Sequence, residues 1–201
     1  MNKFIKLVAT VVSFVGLAYA APGAYVQVQG GVGGMDTKDI STHDSGFTSI
    51  HLRDGLAYRV SGGYLFGQSN LTYGLEMGYA SYADNTYKTY SYLADRYTGS
   101  NVDLLAVAKY HFNPAATGFY VQGKAGAAYV MQENKVNVAG YYSYTDTEKQ
   151  LKPELAVGAG YDINQHIGVD VSYSHIFADN NTLSTSIASV NTLMAGVSYH
   201  F

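Results

Sequence analysis

Seven charged side chains have the setting that best suits chemistry, because each stands within a stretch of alternating polar and apolar residues. In such a stretch every second side chain points to the same face of a strand. The seven charges lie on one face, and the bulky apolar residues lie on the other. The charged residues are Arg59, Lys109, Lys124, Glu76, Asp103, Glu154 and Asp170. A charge that is removed from water destabilises the fold unless it pairs with an opposite charge. If this face is buried, we therefore expect the seven residues to form an ion-pair network. The alternative is a gate or a proton-selective path.

Catalytic and metal-binding sites are indicated less well. Ser174 and His175 are adjacent, and adjacent strand residues point to opposite faces. A Ser–His pair within hydrogen-bonding reach would have to come from elsewhere. His43 and His51 share a polar segment with Asp residues, but their spacing matches no metal-ligand signature. We therefore predict no catalytic residues, no metal site and no cofactor.

Eight segments with a period of two must position these residues. They span residues 25–33, 56–66, 71–82, 102–112, 119–131, 154–163 and 167–176, and the last runs from about residue 190 to the C-terminus. Such alternation is typical of strands. We predict an all-β fold.

The connections between these segments alternate strictly between short and long. Residues 67–70, 113–118 and 164–166 are rich in turn formers. Residues 35–54, 84–100, 132–152 and 178–189 are polar and are expected to be loops. All the long loops would then lie at one end of the molecule. That layout is typical of an outer-membrane barrel, with brief periplasmic turns and long external loops.

Residues 1–20 are predicted to be a secretory signal peptide, which leaves residues 21–201 as one domain. Lys3 and Lys6 precede an apolar run, and Ala18 and Ala20 supply the small residues of a cleavage site. The chain has no Cys, so no disulfide framework is expected. Its net charge of −3 gives no indication of a nucleic-acid partner.

The bulky apolar face is predicted to point outward into lipid. Only 13% of the residues are charged, against about 25% in soluble domains. The rival interpretation is a soluble barrel whose apolar face points inward. It would crowd large side chains into a lumen that eight strands leave only just wide enough for ordinary ones, and its surface would be poor in charge.

Aromatic residues on the apolar face fall into two bands, as the two interfaces of a bilayer select. Near the short turns lie Tyr64, Phe66, Tyr73, Tyr110, Phe112, Phe119 and Tyr161, and toward the long connections lie Tyr79, Tyr129 and Tyr173. A soluble barrel gives no reason for this banding. We therefore predict an eight-stranded antiparallel up-and-down transmembrane β-barrel.

The last strand keeps its apolar alternation to the final residue, with Val197, Tyr199 and Phe201 on one face. Chain ends are ordinarily polar and frayed. If this strand pairs with the first, its apolar face stays in lipid and no strand edge is left in hydrocarbon.

The chain resembles the small eight-stranded outer-membrane β-barrels, broadly the transmembrane domain of OmpA and its opacity-protein and OmpX-like relatives. The resemblance is carried by "YRVSGGYLF", "LTYGLEMGYA", "VDLLAVAKYHF", "FYVQGKAGAAYV" and the terminal "GVSYHF". It implies residence in the outer membrane of a Gram-negative bacterium and an internal ion-pair network that fills the lumen. The terminal segment resembles the signal that the outer-membrane assembly machinery recognises. OmpA continues into a peptidoglycan-binding domain, which we do not expect here.

The sequence is compatible with three functions: a structural or surface-contact barrel, a narrow channel, and a lipid-modifying enzyme. We expect outer-membrane lipid and lipopolysaccharide as surroundings. The predicted external loops are dense in Tyr, Ser and Asp, a composition that suits adaptable contact surfaces. A structural or adhesion-like role toward a host or matrix surface is therefore the preferred hypothesis.

Overall fold

The computed structural model describes residues 23–35, 55–67, 70–90, 93–113, 117–138, 142–177 and 189–201. Within these ranges the strands are β1 (Ala24–Met35), β2 (Leu56–Phe66), β3 (Leu71–Tyr90), β4 (Leu93–His111), β5 (Gly118–Val138), β6 (Tyr142–Asp162), β7 (Ile167–Ile176) and β8 (Val190–His200). The predicted signal peptide lies outside the described residues. No helix in the described ranges has the length and apolar character needed to cross a membrane.

The strands form a closed barrel in chain order, and each pairs antiparallel with its neighbours. Val28 of β1 pairs with Val60 of β2 and with Val197 of β8, so the last strand closes the sheet against the first. The backbone N–H of Phe201 donates to the carbonyl oxygen of Ala24 at 3.0 Å. The predicted eight-stranded up-and-down barrel is confirmed.

Burial alternates along the strands in the predicted sense, with the bulky apolar residues outside. On β2, Leu56 is 83% exposed, and Tyr58 and Val60 are also exposed, whereas Ala57 and Arg59 are buried. An apolar exterior of this kind matches hydrocarbon and not water. The soluble barrel with an inward apolar face is therefore wrong.

Four neighbouring strands are about twice as long as the others. β3, β4, β5 and β6 have 20, 19, 21 and 21 residues, and the remaining strands have 10 to 12. The prediction that residues 84–100 and 132–152 are loops is wrong, because pairing continues to Tyr90 and Leu93 in one hairpin and to Val138 and Tyr142 in the other. The apolar alternation stops where a strand no longer meets lipid. Backbone hydrogen bonds between strands do not depend on that alternation, so the pairing continues.

The interior is not polar throughout. A cluster of buried apolar residues lies inside the barrel, toward the ends of β2, β7 and β8 opposite the short turns and near the middle of β3 and β5: Ala57, Ala80, Tyr82, Ala128, Val130, Ile176, Val190 and Met194. A smaller cluster contains Tyr25, Leu65 and Val107. The polar residues that could carry function lie among and between these two apolar groups.

Candidate functional site: the polar lumen

Four of the seven predicted charges form one buried cluster on β2, β3, β4 and β5. Arg59 Nη1 lies 2.7 Å from Glu76 Oε1, and Arg59 Nη2 lies 2.5 Å from Asp103 Oδ1. Lys124 Nζ lies 2.9 Å from Glu76 Oε1 and 2.8 Å from Oε2. Tyr25 donates its hydroxyl to Glu76 Oε2 at 2.5 Å. Glu76 and Asp103 are only 0% and 1% exposed. Their negative charges are therefore compensated by Arg59 and Lys124 and not by water.

A glycine makes the room that this cluster needs. Gly78 pairs with Asp103 across β3 and β4. A Cβ at Gly78 would lie 2.4 Å from Arg59 Nη2 and 2.8 Å from Asp103 Oδ1. The guanidinium therefore occupies space that any other residue at this position would take.

Asp170 is held by amides. Gln27, Gln29 and Gln122 donate their Nε2 groups to its carboxylate at 2.8, 3.1 and 3.2 Å. Lys124 Nζ lies 3.4 Å from Gln27 Oε1, which links this group to the central cluster. Neutral donors supply the hydrogen bonds that an enclosed carboxylate requires.

Lys109 belongs to a third group at the end of the barrel with the short turns. Its Nζ lies 2.8 Å from Asp162 Oδ2, and His111 Nε2 lies 2.7 Å from the same oxygen. The ammonium of Lys109 also lies 3.7 Å from the centroid of the Tyr120 ring. Asp162 Oδ1 and His111 Nδ1 are buried and find no hydrogen-bond partner within the ranges that the structure describes.

Glu154, like Asp170, forms no ion pair with the cations of the described residues, and it differs from Asp170 in having no amide donors around it. It is 3% exposed, and its Oε2 atom has no hydrogen-bond partner among the described residues. It lines a small cavity together with Arg59, Lys124 and Ser172, in which the space open to the centre of a water molecule is about 20 Å³. That is room for about one water.

Several residues of the lumen were not singled out from the sequence, chiefly Asp162, His111, Tyr25 and the three glutamines. Asp162 and His111 have the same inward parity as the predicted charges, so parity alone could have found them. Nothing in the local sequence distinguishes the glutamines, because their partner Asp170 lies more than 140 residues from Gln27 and Gln29.

The predicted aromatic bands lie on the outside of the barrel. Adjacent rings contact each other near the short turns, with centroids 4.8 Å apart for Tyr64 and Phe66, 5.6 Å for Tyr110 and Phe112, 4.9 Å for Phe119 and Tyr161, and 5.0 Å for Tyr199 and Phe201. Tyr73 packs against Phe66 at 6.2 Å. In the second band Tyr129 and Tyr173 are exposed and Tyr79 is half-buried.

The Ser174 and His175 side chains bind different partners on opposite faces. Ser174 Oγ lies 2.7 Å from Thr192 Oγ1, and His175 Nδ1 lies 2.7 Å from Asn191 Oδ1. Another Ser–His contact exists inside the lumen, where Ser198 Oγ lies 3.4 Å from His200 Nε2. Both residues are buried, and the His200 ring stacks on Tyr25. The distance between these two atoms is too long, and both side chains are too deeply buried, for Ser198 to act as a nucleophile on a lipid.

A metal site would need several ligating side chains close together in the described part of the chain. There, no three His, Cys, Asp or Glu side chains are grouped to hold a metal ion. The weak candidates His43 and His51 lie outside the described residues.

A closed antiparallel barrel with an apolar exterior, aromatic bands and a charged interior defines an integral outer-membrane protein. The sequence profile of the family described as the outer membrane protein beta-barrel domain matches residues 7–201. The chain belongs to this family and is located in the outer membrane of a Gram-negative bacterium.

Solved structures with the same fold have little sequence identity to this chain. Ail of Yersinia pestis, solved with the heparin analogue sucrose octasulfate, has a TM-score of 0.52 and 13% identity, covering 89% of this chain and 97% of Ail. The N-terminal β-barrel domain of Pseudomonas aeruginosa OprF has a TM-score of 0.53 and 15% identity, covering 88% and 97%. Neisserial surface protein A has a TM-score of 0.51 and 17% identity, covering 92% and 100%.

One curated relative is an uncharacterized protein of Coxiella burnetii, 38% identical over 52 residues. The match covers 25% of this chain and 21% of that protein. The chain thus spans about a fifth of the length of this relative.

Proposed function

We propose that this protein is a non-enzymatic surface-contact barrel, which closes its lumen with buried polar and apolar side chains and presents a tall extracellular sheet. The observation that carries the proposal is the length of β3–β6. A strand crosses a membrane with about 9 to 11 residues, and these four have 19 to 21. Roughly half of each strand is therefore available outside the bilayer.

The four long strands form one continuous sheet and not two separate hairpins. β4 and β5 remain paired from His111 and Tyr120 up to Leu93 and Val138. A paired sheet loses less conformational entropy on binding than a flexible loop does. It is therefore a better platform for contact with a host or matrix surface than the loops expected from the sequence.

The lumen supports the same proposal, because its side chains bind one another and leave little space for a solute. Ion pairs, the amides around Asp170 and the apolar cluster occupy successive parts of the interior. Ail, which shares the fold, was solved with a heparin analogue, and a sulfated surface glycan is accordingly the first ligand to test here.

Within the proposal, Val197, Tyr199 and Phe201 serve as the signal for the outer-membrane assembly machinery. The ion pairs serve as structural filling of the lumen, the aromatic bands anchor the barrel in lipopolysaccharide and phospholipid, and residues 1–20 direct export.

The test is to replace residues 84–100 or 133–148 by a short turn and to measure binding of whole cells to immobilised heparin and to epithelial matrix. A matched control replaces the short connection 113–118, at the opposite end of the barrel, by another turn of equal length. We expect the hairpin variants to fold and to lose binding, and the control to keep it. Unchanged binding by both hairpin variants, or a changed mass of lipid A on expression of the wild type, would overturn the proposal.

A further inference from the structure

The outward side chains of β3–β6 change from apolar to mostly polar at one row of the sheet, where Met131 is the apolar exception. The register aligns Tyr79, Val102, Tyr129 and Leu151 across the four strands, then Ser81, Ser100, Met131 and Lys149 in the next outward row toward the hairpin tips. Thr98, Glu133 and Thr147 follow. The first row suits lipid tails and the interface, and the next two suit polar head-groups.

A depression of about 270 Å³ lies on these polar rows. The short side chains of Ser81, Thr98 and Ser100 line it from β3 and β4, and the longer Met131 and Lys149 line it from β5 and β6. Its volume lies just below the range of about 300 to 1,000 Å³ that is usual for small-molecule sites. It therefore suits a group the size of one or two sugar rings and not a protein segment.

The chemistry of the lining matches a phosphorylated sugar. Serine and threonine hydroxyls both donate and accept hydrogen bonds, as sugar hydroxyls do. Lys149 is exposed at the edge of the depression, and a lysine ammonium is a common phosphate ligand. Tyr79 lies at the side toward the membrane, where an amphipathic ring can meet the junction between a head-group and its acyl chains.

We propose that this depression binds the phosphorylated saccharide head-group of an outer-leaflet glycolipid, with Lys149 at the phosphate and Ser81 and Ser100 at the sugar. Glu133 also lines the depression, as the diagonal neighbour of Lys149 across β5 and β6, and its carboxylate lowers the positive potential at the phosphate position. The inference rests on the location of the family in the outer membrane and not on the proposed surface-contact role.

The experiment is native mass spectrometry of the folded wild type and variants in detergent, titrated with bisphosphorylated lipid A. The same lipid without its phosphates and inorganic phosphate alone are the other two probes. The variants are Lys149→Ala, Lys149→Arg, Glu133→Gln and Ser100→Phe, the last of which fills the depression without changing charge. Gln165→Glu is the matched control, because it changes net charge by the same −1 as Lys149→Ala but lies on an exposed turn at the other end. The gel mobility of unboiled samples confirms that each variant is folded.

We expect the wild type to retain lipid A in preference to its dephosphorylated form. Lys149→Ala should weaken retention by roughly tenfold, the loss of one charge-assisted hydrogen bond, while Lys149→Arg and Gln165→Glu should not. Ser100→Phe should weaken retention of both lipids, and Glu133→Gln should strengthen that of lipid A. Equal retention by the wild type and Lys149→Ala would overturn the proposal. Displacement of lipid A by millimolar inorganic phosphate would overturn the assignment to a lipid head-group.

Discussion

The ammonium of Lys124 lies within hydrogen-bonding distance of both carboxylate oxygens of Glu76, at 2.9 and 2.8 Å. The two residues come from β5 and β3, with β4 between them. Arg59 and Tyr25 also donate to the same carboxylate. Glu76 is therefore the point at which the inner faces of four strands are joined.

The first prediction concerns the loss of this carboxylate. Glu76→Leu should destabilise the folded barrel by about 3 to 5 kcal/mol, because Lys124 and Arg59 would each lose a partner while remaining enclosed. The free energy of unfolding in urea, with the protein in detergent micelles, measures the effect. Glu133→Gln is the control, since Glu133 lies on the outward face and should change stability by less than about 1 kcal/mol. Equal stability of Glu76→Leu and the wild type would show that the cluster is not structural.

The second prediction concerns Gly78. Gly78→Ala should destabilise the barrel by about 1 to 3 kcal/mol, because the added Cβ would overlap the Arg59 guanidinium and force the ion pair with Asp103 apart. The same urea titration applies. Gly123→Ala is the matched control, because a Cβ there meets nothing within 4 Å. If both substitutions have the same effect, backbone preference and not the space for Arg59 explains the result.

The alternation of side chains made the barrel and the identity of its inner face predictable from sequence, including the inward position of Arg59, Glu76 and Lys124. Partner choice was not predictable in this way. Gln27 on β1 reaches Asp170 on β7, and that contact depends on the stagger of the strands around the closed barrel, which parity does not specify. Glu154 has the same parity as Glu76 and lines a cavity with Arg59 and Lys124, yet within the described part of the chain it forms no ion pair with either of them.

The long hairpins were missed for a different reason. Residues 84–100 are rich in Tyr and Thr, which favour strands, but they show no apolar face. Alternation of apolar and polar residues shows which face of a strand meets lipid or an apolar core. A sheet outside the membrane can have water on both faces, so its strands need no apolar face. The boundary between Tyr79 and Ser81 therefore marks the end of the lipid-facing part of β3 and not the end of the strand.

The third prediction concerns the C-terminus. Deletion of Phe201 should reduce the amount of folded barrel in the outer membrane, because it removes the hydrogen bond to Ala24 and the ring that packs on Tyr199. Heat-modifiable mobility of membrane fractions measures the folded fraction. Deletion of residues 91 and 92, which follow β3 and precede β4 in the chain, is the control, since this connection is not expected to be recognised during assembly. Equal insertion of the two deletion variants would refute a special role for the terminal residue.

The final prediction concerns conductance through the lumen. Eight strands leave an interior that side chains can fill, and here Arg59 and Lys124 both bind Glu76 across it. The apolar cluster around Val130 and Met194 occupies the interior at the other end. The wild-type monomer in planar bilayers should therefore be silent or show rare, small openings. Lys124→Met removes one cation from Glu76 and should increase the frequency of openings, whereas Gln165→Glu on the exposed turn should not. A steady, large and unselective conductance from the wild-type monomer would contradict the closed lumen and would favour the channel hypothesis.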